Sequence, residues 1–246
     1  AAIAGIGLTW YTWFEQGRAI NVSTAFLENI ARALMLDPSE RSYLYFLAEK
    51  PLAVRSADKK CFRLEPTIVR LADGLGARPA YIKDLRWDLL YWNRAASFVF
   101  GEFSEVPKED RNIAWLTFAD GPFRYTMENW EQDARRLVAR LRADYASTAG
   151  DKLFQHLIDR LLESSDDFRR IWKTHAVLET AAGTRQVNIK RFGALEFVYT
   201  VCRIGETNQT KLVIYAAQPG QKKAEAFQDA CSKWIASQVD QEEKLS

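Results

Sequence analysis

Few side chains in this 246-residue chain are of the kind that make and break bonds. The two histidines, His156 and His175, fall on a predicted helix and at a predicted helix-to-strand junction. Neither has a Cys or another His at ligand spacing, so no metal is expected. Cys61, Cys202 and Cys231 are scattered and odd in number, which suits reduced thiols in a cytoplasm better than a disulfide framework. No nucleophile elbow, phosphate-binding glycine loop or CxxC occurs. The paired acids Asp166 and Asp167 sit at a predicted helix start, where the helix dipole accounts for them. No catalytic residue and no cofactor is expected, and an enzymatic reading has no residue set to nominate. What the chain offers is aromatic surface, with 8 Trp, 9 Tyr and 14 Phe. Such rings fill a core or line an apolar ligand slot.

The elements that must position those rings follow from periodicity and punctuation. Leu8, Tyr11 and Phe14 make one face of a short helix, with Thr9, Thr12 and Trp13 pointing the other way, and Glu15-Gln16-Gly17 stops it. Ser23 caps a second helix carrying Phe26, Leu27, Ile30, Ala31, Leu34 and Met35 on its apolar stripe. Asp37-Pro38-Ser39-Glu40 opens a third, with Tyr43, Leu44, Phe46 and Leu47, which ends before Pro51. A linker follows, then a helix from Glu65-Pro66 to the glycines 74 and 76. Residues 80–91 read as a hairpin turning near Asp84–Asp88, with a short helix behind it ending at Gly101. Helices are expected over 111–119, 130–145, 151–162 and after Ser165. In the second of these, Arg135, Arg136, Arg140 and Arg142 are expected on a solvated face. From Val177 the period changes to two, giving about three antiparallel strands up to residue 217, with a hairpin at Gly205–Asn208. An amphipathic helix over 224–239 closes the chain.

A short helix with one buried face and one polar face can enter a DNA major groove. Charge adds little support: residues 1–58 carry five basic side chains (Arg18, Arg32, Arg41, Lys50, Arg55) and six acidic ones, and the whole chain is only +2. Composition alone leaves DNA binding and a plain helical bundle equally open. No run of eighteen apolar residues exists to span a membrane.

The segment GIGLTWYTWFEQGR (residues 5–18) resembles the GVSxTWYTWLEQGR segment of MmyB-like regulators, which carry a lambda-repressor-like helix-turn-helix of the XRE type. DPSER with YLYFLA, RWDLLYWNRAA (residues 86–96), RNIAWLTFA and FRRIWKTHAV resemble further stretches of the same family along nearly the whole chain. One departure stands out, since the family's His-Pro pair is Ile189-Lys190 here. The resemblance implies an α+β chain: an all-α helix-turn-helix bundle over 1–52, whose first helix would lie upstream, a linker over 53–64, a PAS-like antiparallel sheet covered by helices over 65–222, and a C-terminal helix over 223–246.

By the same resemblance the partners are a double-stranded DNA operator, a small apolar ligand that is fatty-acid-like, and a second copy of the chain. Gly7, Leu8, Thr9, Thr12, Trp13, Arg18 and Asn21 would meet DNA. Trp87, Tyr91, Trp92, Phe98, Phe118, Phe197, Tyr199 and Tyr215 would line the ligand slot, with Asn93 and Arg94 as polar candidates for its head group. The competing reading of the rings is an ordinary core, and that of Asn93 and Arg94 is local backbone bonding. For the whole chain the alternative is a lipid-binding or dimerisation module without DNA binding.

Overall fold

The computed structural model describes residues 7–16, 18, 22–48, 64–119, 121–148, 151–176, 182–204 and 210–243. Expectations that fell on Gly17, Asn21, residues 53–63, 177–181 and the hairpin 205–208 lie outside these.

Three short helices come first: α1 (Leu8–Glu15), α2 (Thr24–Ala33) and α3 (Pro38–Leu47). Their starts follow from side-chain caps. The Ser23 hydroxyl accepts from the Phe26 N–H at 3.1 Å. Asp37 and Glu40 form a reciprocal box, each accepting from the other's backbone N–H at 2.8 and 3.0 Å. Leu27, Ile30 and Ala31 are buried as the stripe requires, but Leu34 and Met35 are not. The helix ends at Ala33, and Met35 turns to φ 51°, so both side chains leave the stripe and face solvent. Leu47 is likewise exposed.

After α4 (Pro66–Asp73), five strands form one antiparallel sheet: β1 (Ala80–Asp84), β2 (Leu89–Trp92), β3 (Ala182–Ile189), β4 (Gly193–Ile204) and β5 (Thr210–Ala217), in the spatial order β2-β1-β5-β4-β3. The helices α5 (Arg94–Phe100), α6 (Ile113–Phe118), α7 (Pro122–Thr126), α8 (Trp130–Ser147), α9 (Lys152–Ser164) and α10 (Asp166–Trp172) lie between the two strand groups in sequence, and α11 (Lys222–Glu243) follows the last strand. The architecture is α+β and PAS-like. The short α7 had no signal beyond Gly-Pro, and none was expected there. Gly121, which precedes it, has no room for a side chain, since an added Cβ would lie 2.3 Å from the Leu116 carbonyl oxygen.

Period-two alternation gives the sheet two different faces. The inner face carries Tyr81, Val213, Tyr215, Leu195, Phe197, Tyr199 and Val187 against the helices. The outer face carries Ala80, Ile82 and Leu212 beneath Ala72 of α4. α8 is buried on more than one side, packing on the sheet and also on α3 and α10. This overturns the expectation for Arg142. Arg135 and Arg136 are exposed, but Arg142 is fully buried. Its guanidinium donates to the carbonyls of Trp172 and Ala176 and stacks over the Trp172 ring at 4.3 Å. An arginine stem that packs while its head finds carbonyls can lie inside a helix interface.

Candidate functional site

The DNA-facing candidates lie on and around α1. Gly7 and Thr9 are exposed, Thr12 and Trp13 are half-buried, and Arg18 is exposed with its guanidinium 5.7 Å from the centre of the Trp13 ring. Leu8 is the first residue of α1. The unit is anchored through α3. The Tyr43 hydroxyl and His175 Nδ1 share a hydrogen bond of 2.9 Å, and the Phe46 ring meets Tyr145 of α8 edge-on at 5.0 Å.

The ligand candidates divide among several places. Phe197, Tyr199 and Tyr215 come together on the inner face, with ring centres 5.2–6.2 Å apart. Tyr81, Phe100, Phe103 and Phe123 extend the same layer, and Phe100 stacks on Phe123 at 4.6 Å. Phe98 sits at the margin against Phe227 and Trp234, where it borders a groove of about 290 Å³ with Phe192 and the cations Lys190 and Arg191. Tyr91 and Trp92 border a second groove, of about 630 Å³, beside β2 with Lys108 and Arg111. The Tyr91 hydroxyl donates to Asp73 at 2.6 Å, and its ring packs with the outer-face cluster. Phe118 is off the sheet altogether, between Trp130 and Phe168.

The two polar candidates differ. Asn93 caps α5 and is buried. Its Oδ1 accepts from the N–H groups of Ala80 and Ala96, and its Nδ2 donates to the carbonyls of Ala72 and Arg78. Those four bonds exhaust a carboxamide, leaving nothing for a ligand. Arg94 opens α5 half-buried.

Trp87 leads to polar groups that sequence reasoning passed over. It sits at φ 72°, buried, with its indole N–H donating to Asp144 of α8 at 2.7 Å. The Lys83 ammonium lies 2.9 Å from the centre of its ring. Asp144 also takes two bonds from Lys211, at 2.5 and 2.7 Å. Burial pushes the Lys83 ammonium well below the usual lysine range, and the negative charge of Asp144 offsets this in part. Asp84, beside it, is pushed up to about 6, first by burial and then by the charge of Asp88. Further along the inner face Arg185 lies 3.7 Å from the buried Asp133 and 4.8 Å from the centre of the Tyr199 ring. The signal for Lys83 was present in the alternation of AYIKD, which puts Tyr81 and Lys83 on one face.

No group of three or more His, Cys, Asp or Glu residues among the described residues could hold a metal ion. No described helix is long and apolar enough to cross a membrane. The arrangement combines an aromatic layer with charged groups at one end.

The model of the family described as "MmyB-like transcription regulator ligand binding domain" matches residues 64–230, which takes in α4 to the first part of α11. No curated protein matches the chain.

Proposed function

Because the chain belongs to the MmyB-like transcription regulators through its ligand-binding domain, we propose that it is a ligand-responsive transcription regulator with two working parts. The helices α1 to α3 bind a double-stranded DNA operator as a homodimer, with Thr9, Thr12 and Trp13 toward the bases or sugars and Arg18 near phosphate. The PAS-like domain takes a small apolar, fatty-acid-like ligand between α8 and the inner face of the sheet, and the ligand's differential affinity for two arrangements sets operator binding. The family match over residues 64–230 carries this reading. The aromatic layer of Tyr81, Phe197, Tyr199 and Tyr215 supports it as a floor of large apolar area. That layer is filled by its own rings, so the ligand is expected to displace side chains on entry.

Native mass spectrometry of the purified chain, followed by denaturing extraction and lipid analysis, tests the ligand half. About one apolar acid per chain is expected. A protein that stays empty after incubation with a panel of lipids counts against it. Thr12→Arg tests the DNA half: operator binding is lost while the melting temperature holds, and unchanged binding removes α1 from the interface.

The near balance of charge over residues 1–58 favours a second reading, a lipid-binding or dimerisation module without DNA binding. Operator binding by the intact chain dismisses it.

A further inference from the structure

One row of the sheet breaks the rules that the rest obeys. Lys83 on β1 and Lys211 on β5 stand directly opposite each other, and Arg203 on β4 stands directly opposite Lys211. Alternation from Tyr81, Val213 and Val201 puts all three on the inner face. Like charges at facing positions destabilise a sheet, and two of these are buried. The carboxylates close to Lys83 are Asp144 and Asp84. Asp144 is committed to Lys211 and the Trp87 indole. Asp84 is turned to Arg86, at 3.1 Å, and to the Asp88 N–H. Lys83 is 3 % exposed, and its ammonium lies against the Trp87 ring. A buried cation is normally paired with a counter-charge of its own. Next to this row on the same face stand Tyr81, Val213 and Val201, then Tyr215 and Tyr199, with the Arg185–Asp133 pair against the Tyr199 ring. The row runs from buried Lys83 to exposed Arg203, so its open end meets solvent.

We propose that the row Lys83–Lys211–Arg203 is an anion seat, in which the negatively charged head of the ligand pairs with Lys83 while its apolar body lies on the aromatic rows. This deepens the reading above and rests on it for the apolar body. It moves the head group away from Asn93, whose bonds are taken. The shared chemistry is a small oxyanion, and its source is either an amphiphile or a free ion.

The test uses the full chain and three probes: dodecanoate, dodecanol with the same tail and no charge, and inorganic phosphate. Affinities come from calorimetry. The indole N–H resonance of Trp87, assigned as the one lost in Trp87→Phe, reports on the seat itself. Dodecanoate is expected to bind at least about tenfold more tightly than dodecanol and to shift that resonance, as one charge-assisted contact implies. Lys83→Met brings dodecanoate down to the affinity of dodecanol, and Lys83→Arg keeps the preference. Arg203→Ala, at an exposed position where folding is not at risk, lowers the preference by about two- to threefold. Equal binding of the two amphiphiles overturns the seat and leaves the apolar reading standing, as does a preference that survives Lys83→Met. A Trp87 shift caused by phosphate, with no binding of either amphiphile, supports the seat and overturns the apolar reading. No response to any probe overturns both.

Discussion

α8 buries a cation on each of two sides, and the two are treated differently. On the side of α3 and α10, Arg142 is fully enclosed, yet its two terminal nitrogens meet the carbonyls of Trp172 and Ala176 and its plane lies on the Trp172 ring. Its Nε has no partner, but the head as a whole is held. On the sheet side, Lys83 is also buried, with its ammonium against the Trp87 ring and the nearby Asp144 bonded to Lys211. Depth of burial therefore does not separate a cation with acceptors committed to it from one without. The groups committed to it do, because a buried charge whose nearby counter-charge is bonded elsewhere is destabilising unless something else supplies one.

The largest test of this contrast is Arg142→Ala. It leaves two carbonyls without donors and a cavity against Trp172, and should lower the unfolding free energy by about 4 kcal/mol in a urea titration. Next comes the lysine pair. Lys211→Met strips Asp144 of its ion pair and should destabilise by about 3 kcal/mol, whereas Lys83→Met removes an unmatched charge and should change stability by less than about 1 kcal/mol. Equal losses would mean that the two lysines share Asp144, and a double-mutant cycle would then show the coupling.

Asp84 gives a pH signature at the same end of the sheet. Its carboxyl is pushed up to about 6, so the folded state holds that proton more tightly than the unfolded chain does. The resulting stability is complete below the ordinary aspartate value near 4 and is lost as pH rises through about 6. Asp84→Asn should remove that decline and leave the protein more stable than wild type at pH 7, by about 2 kcal/mol. The smallest effect belongs to the other side of α8. Tyr43→Phe gives up the bond to His175 and should cost about 1 kcal/mol, seen as earlier melting of the N-terminal helices.

Most of the architecture was legible because its signals are local. Ser23, Asp37 with Glu40, Asn93, Asp151 and Ser165 each hold a helix start that their residue types announce. The period-two run from Leu195 to Val201 announced β4. The site was legible only in part. Phe197, Tyr199 and Tyr215 do gather on one face, but Phe118 packs among helices and Tyr91 bonds to Asp73, and ring count alone does not distinguish a slot from a packing layer. Lys83 and Lys211 lie 128 positions apart, and their confrontation depends on β1 pairing with β5. No local window contains it. Arg142 was misplaced because a polar face on a helical wheel reads as solvent when the helix is packed on two sides.

The single length of α8, Trp130–Ser147, has a consequence for how the molecule can be read from either end. Asp133 and Asp144 tie it to the sheet, and Arg142 and Tyr145 tie it to the elements that hold α3. If an occupant of the sheet face shifted α8 and with it α3, anything bound at α3 would act back on the sheet face by the same free energy. Whatever factor one occupant gains from the other must be repaid in kind, so measuring either affinity with the opposite face empty and then filled gives the coupling in both directions.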